Sequence, residues 1–223
     1  MSPKYDFLYH VGTSGTSTGT KKIISVPIEA IWLNIKDFSA CFKLSEKDVI
    51  FSAAPPTFDP FYLDLFVAFL AQATLFLTSR KMKMRSGLPL SNLLHGRKVT
   101  FSQMTPTLFK NLVKCPKSLQ QLVLGGELFP SGKTLRPILS DCSKTPKLFN
   151  VYGLTEMSVW QSLIEIKNLS LDEQPIYSDE KLLSDPKLYL DQEGQICLET
   201  RNRACYFNDQ LVRLIVLLFS VLL

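Results

Sequence analysis

Apolar residues along this chain come in short runs, separated by polar breaks marked with Gly and Pro, and the runs alternate in kind. Residues 5–11 and 22–26 read as strands, the second stopped by Pro27. Ile28, Ile31, Leu33, Ile35 and Phe38 then run through a segment that reads as a helix packed on a sheet. Residues 49–51, 73–77, 99–101, 122–124 and 147–149 are further strands, with helices over 61–71, 88–94, 106 to about 114, and 130–139 between them. This alternation predicts an α/β fold. From about Lys167 the texture turns polar, and residues 186–190 and 195–199 flank Asp191-Gln-Glu-Gly as a hairpin. Leu211 to Leu223 is almost wholly aliphatic and aromatic, thirteen residues where a membrane helix needs roughly 20. Four readings of it stand open: a buried strand, a helix, a cut-off membrane segment, or a tail outside the fold. The expected organisation is a core over 1–166, a small β subdomain starting over 167–208, and an apolar tail over 209–223.

Composition narrows the classes. With 223 residues, 46% of them hydrophobic, the chain can bury a large core, which excludes global disorder. The formal charge of +5 is modest and the lysines are scattered. Lys81, Lys83 and Arg85 form the one basic cluster, read as a short solvated turn, so no nucleic-acid partner is expected. Cys41, Cys115, Cys142, Cys197 and Cys205 show no CxxC pairing and no metal spacing with His10 or His95, as reduced thiols of a cytosolic protein would. Residues 1–5 carry no apolar signal-peptide core, so a cytoplasmic location is expected, without a membrane role apart from the apolar tail.

Candidate chemistry sits at strand ends. Thr13-Ser-Gly-Thr-Ser-Thr-Gly-Thr-Lys-Lys22 joins two strands with six hydroxyls, two glycines and two lysines. Such a loop can curl its N–H groups around a phosphate, or be a plain solvated linker. Pro27 follows too soon for the helix that a Walker-type loop requires, which disfavours a mononucleotide kinase or GTPase. Asp59 stands at the mouth of the helix over 61–71, either as its N-cap or as a carboxylate for a substrate ammonium group. Gly125-Gly126-Glu127 follows a buried strand directly, where a planar ligand can approach the backbone or a tight turn suffices. Residues 150–156, Asn-Val-Tyr-Gly-Leu-Thr-Glu, gather an amide, an aromatic face, a hydroxyl and a carboxylate at another strand end, or form an ordinary turn.

Taken in order, the hydroxyl/Gly/Lys loop, Phe58-Asp59-Pro60, Leu124-Gly-Gly-Glu127 and Asn150 to Glu156 resemble the adenylate-forming superfamily of acyl-CoA synthetases, peptide-synthetase adenylation domains and luciferases. The resemblance runs from Tyr5 to about Asn208. It implies part of the large N-terminal domain of that fold, mixed sheets flanked by helices, with the start of a small β subdomain. It implies that Thr13, Ser14, Gly15, Thr16, Gly19 and Lys22 wrap the ATP phosphates, and that Gly125, Gly126, Glu127, Asn150, Tyr152 and Gly153 line the nucleotide and acyl sites. By the same resemblance Thr155 and Glu156 are catalytic, Thr155 at the α-phosphate and Glu156 on Mg2+, while Asp59, Val151, Val159 and Trp160 bind the acid.

The implied reaction is ATP-dependent activation of a carboxylic acid, beta-alanine or another small amino acid, with a fatty acid as the alternative. The acyl group then passes to coenzyme A or a carrier phosphopantetheine, so a carrier domain is an implied partner. Two departures stand against the family pattern: one residue is added between Thr16 and Gly19, and Lys21 replaces a proline. A ribose-binding Thr-Gly-Asp motif and a C-terminal lysine-bearing domain do not follow Arg203. The expectation is therefore a chain truncated at both ends, with a second reading as an inactive nucleotide-binding or interaction module.

Overall fold

The computed structural model describes residues 6–13, 22–84, 88–140, 145–169, 176–177, 181–193, 195–207 and 210–217. Its central sheet is built from β3 (Val49–Ser52), β4 (Thr74–Phe76), β5 (Phe101–Met104), β6 (Gln121–Gly125), β7 (Lys147–Tyr152), β8 (Ser162–Asn168), β9 (Ile176–Tyr177) and β10 (Lys181–Leu182). The spatial order is β10-β8-β7-β6-β5-β3-β4, with β9 also on β8. β3 to β7 lie parallel to one another, and β8 runs antiparallel beside β7. The strands are apolar on successive residues because both faces are covered. Ile50, Phe101, Val123 and Phe149 pack on one face against α1 (Ile28–Phe42) and α2 (Asp59–Ala71). Phe51, Leu122, Leu124 and Leu148 point the other way, into the cluster with Leu90 of α4 (Leu88–Gly96), Phe109 of α5 (Pro106–Lys110) and Leu135 of α6 (Gly132–Leu139).

Two smaller antiparallel sheets complete the described chain. β1 (Phe7–Thr13) and β2 (Lys22–Pro27) form a hairpin that continues through β13 (Cys205–Phe207) to β14 (Gln210–Val212). The third sheet is β11 (Lys187–Leu190), β12 (Ile196–Glu199) and β15 (Leu214–Leu217). Of the four readings of the apolar C-terminal stretch, its described part takes the strand, though β14 is exposed and not buried: Ile215 pairs with Leu198 and Leu211 with Tyr206.

The elements depart from the sequence reading where a partner intervenes. The expected loop at residues 80–85 starts as a helix, α3 (Arg80–Met84), because Ser79 Oγ accepts the Met82 N–H at 3.2 Å and caps it. The strand expected at 99–101 is β5, displaced toward Met104, and α5 ends at Lys110, short of the expected 114. β8 was not anticipated. Its pairing, Asn150 with Ile164 and Tyr152 with Ser162, draws β7 out by three residues beyond Phe149.

Candidate active site

A cavity of about 360 Å³ opens where β3, β5, β6 and β7 end. Ala53 and Ala54 follow β3, Gln103 and Met104 close β5, Gly125 and Gly126 end β6, and Gly153 follows β7; all line it. The carboxyl edge of parallel strands is where an open α/β sheet receives ligands, and the volume suits a small molecule.

Two of its glycines are there because nothing larger fits. A Cβ on Gly153 would stand 2.0 Å from the Val159 carbonyl oxygen and 2.7 Å from Trp160 Cα. One on Gly125 would meet Val151 Cγ2 at 2.4 Å and Trp160 Cη2 at 3.0 Å. Gly126 is needed for a different reason, its left-handed φ of +79°. The glycines thus let the loop carrying Val159 and Trp160 lie directly on the strand ends.

That loop is held from behind. Asn34 of α1 donates from Nδ2 to the Trp160 carbonyl and accepts the Trp160 N–H at Oδ1, both at 3.0 Å. The fully buried Arg203 donates to the carbonyls of Ser158, at 2.6 Å from Nη2, of Ser184 and of Trp160. Burial draws its guanidinium down to about 10, against the pull of Asp37 and Asp185, so it remains a cation at neutral pH. The Trp160 indole N–H donates to Gln103 Oε1 at 2.8 Å.

Asp59 is the first residue of α2 and not its cap; Phe58 holds the cap position. Its side chain is 5% exposed and lines the cavity, and Oδ2 has no hydrogen-bond partner among the described residues. Burial raises the carboxyl from 3.8 to about 7; its own backbone N–H and the Thr155 hydroxyl lower it only partly, and Glu156 adds a like charge. A buried carboxylate with a free oxygen costs free energy until a cation or donor reaches it. Thr155 and Glu156 lie on the single helical turn Thr155–Met157 beside it, with Thr155 on the cavity wall.

The other residues singled out in the sequence divide. Val159 and Trp160 line the cavity, whereas Val151 is packed in the core beside it. Asn150 and Tyr152 sit on β7 outside the lining; Tyr152 is 42% exposed, its phenol pushed up by burial and by Glu156. Glu127 is turned away, accepting at Oε2 from the Thr107 N–H at 2.8 Å and the Thr107 hydroxyl at 2.6 Å, across the start of α5. Thr13 faces Lys22 in the β1–β2 hairpin, and Lys22 Nζ sits 5.5 Å from the Phe207 ring centroid. Ser14, Gly15, Thr16 and Gly19 lie outside the described residues. Asn34, Gln103 and Arg203 had no role in the sequence reading. A polar Gln103 closing a buried strand was the available signal.

The profile of the AMP-binding family, AMP-binding enzymes, matches residues 3–202. The chain belongs to the AMP-binding enzyme family. This AMP-binding chain is 35% identical to the human beta-alanine-activating enzyme over 93% of its own length and 21% of that protein. It is 32% identical to the Drosophila melanogaster protein of that name, covering 90% of this chain and 22% of the other. It therefore spans about a fifth of the length of these relatives. Among solved structures, the Vibrio cholerae adenylation domain AlmE in complex with glycyl-adenosine-5'-phosphate superposes at TM-score 0.77 with 15% identity, over 94% of this chain and 42% of that one. The nonribosomal peptide synthetase FmoA3 superposes at 0.76 with 18% identity, over 92% of this chain and 23% of that one. These likenesses establish the fold as part of an adenylation domain. No helix among the described residues is long and apolar enough to cross a membrane.

Proposed function

We propose that this AMP-binding chain is the nucleotide- and acid-binding core of a synthetase that converts a small amino acid to its acyl adenylate. The observation that carries the proposal is Asp59 on the cavity wall, its buried Oδ2 without a hydrogen-bond partner among the described residues and its carboxyl held at about 7. An ammonium group satisfies that oxygen and draws the carboxyl back to its charged form. Beta-alanine is the preferred acid, on the likeness to enzymes bearing that name; a fatty acid has no group for Asp59.

In the proposed reaction a substrate carboxylate oxygen attacks the α-phosphorus of ATP, the bond to the β-phosphate oxygen breaks, and pyrophosphate leaves. Gly125 and Gly126 present bare backbone to the nucleotide and Tyr152 offers a ring face. Once an ammonium group takes its place on Asp59, the Thr155 hydroxyl is free to donate toward the α-phosphate. Glu156 fits Mg2+ as a single hard carboxylate ligand beside phosphate oxygens, the usual donor set for that ion. Bound there, Mg2+ would reduce the repulsion between two anions that must meet in line. Asp59 and the wall of Trp160 orient the acid. In the second half-reaction a thiol of coenzyme A or a carrier phosphopantetheine would attack the acyl carbonyl and release AMP.

The test is carboxylate-dependent exchange of pyrophosphate into ATP by the purified chain, scanning beta-alanine, glycine, larger amino acids and fatty acids. Exchange with small amino acids is expected. Exchange driven equally by fatty acids would remove the role given to Asp59. The affinity of beta-alanyl sulfamoyladenosine, a stable mimic of the adenylate, reads binding apart from turnover.

A further inference from the structure

The second acid of α2, Asp64, lies beneath the cavity and takes no part in its lining. It is 2% exposed, and its Oδ1 accepts from Gln103 Nε2 at 2.6 Å. The other Nε2 hydrogen of Gln103 goes to the Pro60 carbonyl at 2.9 Å, and Gln103 Oε1 receives the Trp160 indole N–H at 2.8 Å. An amide has two donors and one carbonyl oxygen. Both donors of Gln103 are therefore committed to α2, and the oxygen is left facing Trp160. An amide turned over would set its NH2 against the indole N–H, donor against donor, and leave Asp64 Oδ1 facing an oxygen.

We propose that Asp64 is a positioning residue for substrate selection: by fixing the orientation of the Gln103 amide it holds the Trp160 indole as the wall of the acid cavity and keeps Gln103 from offering a free donor to the substrate. The proposal deepens the amino-acid-activating reading and rests on it for the identity of the ligand. The neighbours of Asp64 suit the task. Lys83, from α3, donates to the carbonyls of Ser52, Ala53 and Ala54 at 3.1, 2.9 and 3.4 Å, so it ties down the end of β3 that forms the adjoining wall while lending Asp64 a positive charge. The short bond from Gln103 is the main one to Asp64: the Ser52 hydroxyl lies near enough to hold the carboxyl down, but neither it nor Asp64 Oδ2 meets hydrogen-bond geometry with any described residue. Among the described residues lining the cavity, Asp59 is thereby left as the one charged reader of substrate, and Gln103 adds no free donor. The cavity would take a short amino acid without a polar side chain.

The test uses the full chain with Trp32→Phe, so that Trp160 is the sole tryptophan. Asp64→Asn keeps an acceptor at Oδ1 and Asp64→Leu removes it. Two readouts are followed: Trp160 emission without ligand, and the ratio of affinities for beta-alanyl and seryl sulfamoyladenosine. Asp64→Leu is expected to shift the emission and lower that ratio about tenfold, while Asp64→Asn holds both near the parent values. Should Asp64→Leu fail to fold, Asp64→Thr, too short to reach the amide, takes its place with the same expectation. Parental emission and ratio in the acceptor-less variant would overturn the proposal, as would equal losses in Asp64→Asn and Asp64→Leu. Shifted emission with neither mimic bound by the parent would leave the positioning intact and refute instead the amino-acid reading beneath it.

Discussion

Helix α2 carries two buried acids little more than one turn apart, and they are put to different use. Asp59 and Asp64 are 5% and 2% exposed, each with Oδ2 unpartnered among the described residues, and burial raises the first to about 7 and the second to about 8. The difference is what lies above them. Asp59 lines the cavity, although its Oδ2 is as closed to water as that of Asp64; Asp64 is outside the lining and bonded to Gln103, so its charge acts through another side chain. Burial and a displaced pKa alone therefore do not mark a ligand-binding residue. A place in the cavity wall does.

The contrast depends on the glycine-backed loop staying where it is, and the largest predicted effect tests that. Gly153→Ala should cost about 3 kcal/mol or more in denaturant unfolding, because its Cβ would stand 2.0 Å from a backbone oxygen. Gly96→Ala, with nothing within 4 Å, is the steric control. A loss at Gly153 no larger than at Gly96 would mean the loop yields, and the wall between Asp59 and solvent would not be rigid.

Next in size is the charge at the open site. Asp59→Asn should weaken beta-alanyl sulfamoyladenosine on the order of a hundredfold, about 2.7 kcal/mol, by removing one partner of a buried ion pair. A mimic whose acyl chain lacks the amine should change little. Equal losses for both would reduce Asp59 to a structural acid like its neighbour.

A pH series separates two readouts, stability and affinity, by sign. Each carboxyl is raised from 3.8, so between about pH 4 and pH 7 or 8 the folded chain holds protons that the unfolded chain has lost. Both acids therefore make the ligand-free protein less stable as pH rises through that window, with a slope of up to about 1.4 kcal/mol per pH unit from each. Asp64→Asn should flatten the part of the slope that extends toward pH 8. Amine-mimic affinity should run oppositely, rising as Asp59 ionises through about pH 7. A parallel trend in stability and affinity would contradict the division of roles.

The smallest effect concerns a residue outside the pair. Glu127→Ala should cost about 1 kcal/mol, the loss of an acceptor for the first turn of α5, and leave mimic affinity within about twofold. A tenfold loss of affinity would return Glu127 to the ligand and enlarge the site beyond the cavity described.

Much of this was legible in the chain as written. The alternation of apolar runs named the α/β class, since a strand covered on both faces must be apolar on successive residues, as Ile50 and Phe51 are. The strand-end clusters Gly125 to Glu127 and Asn150 to Glu156, and Asp59, were local in sequence, and the fold brings Gly125, Gly126, Gly153, Thr155 and Asp59 of them to one cavity. Three things were decided only by tertiary contact. β8 is a polar-flanked strand whose partner β7 supplies its reason to exist. Gln103 and Arg203 matter through the carbonyls, indole and carboxylate they reach across 19 to 57 residues of chain. The opposite fates of Asp59 and Asp64, and the turning of Glu127 toward Thr107, depend on what stands a few ångströms away in space. Side-chain chemistry and hydrophobic period are properties of each residue and its near neighbours, so the sequence by itself determined the layers and the candidate chemistry. Hydrogen-bond partners and access to a cavity are properties of the packed molecule, and only the tertiary structure could assign them.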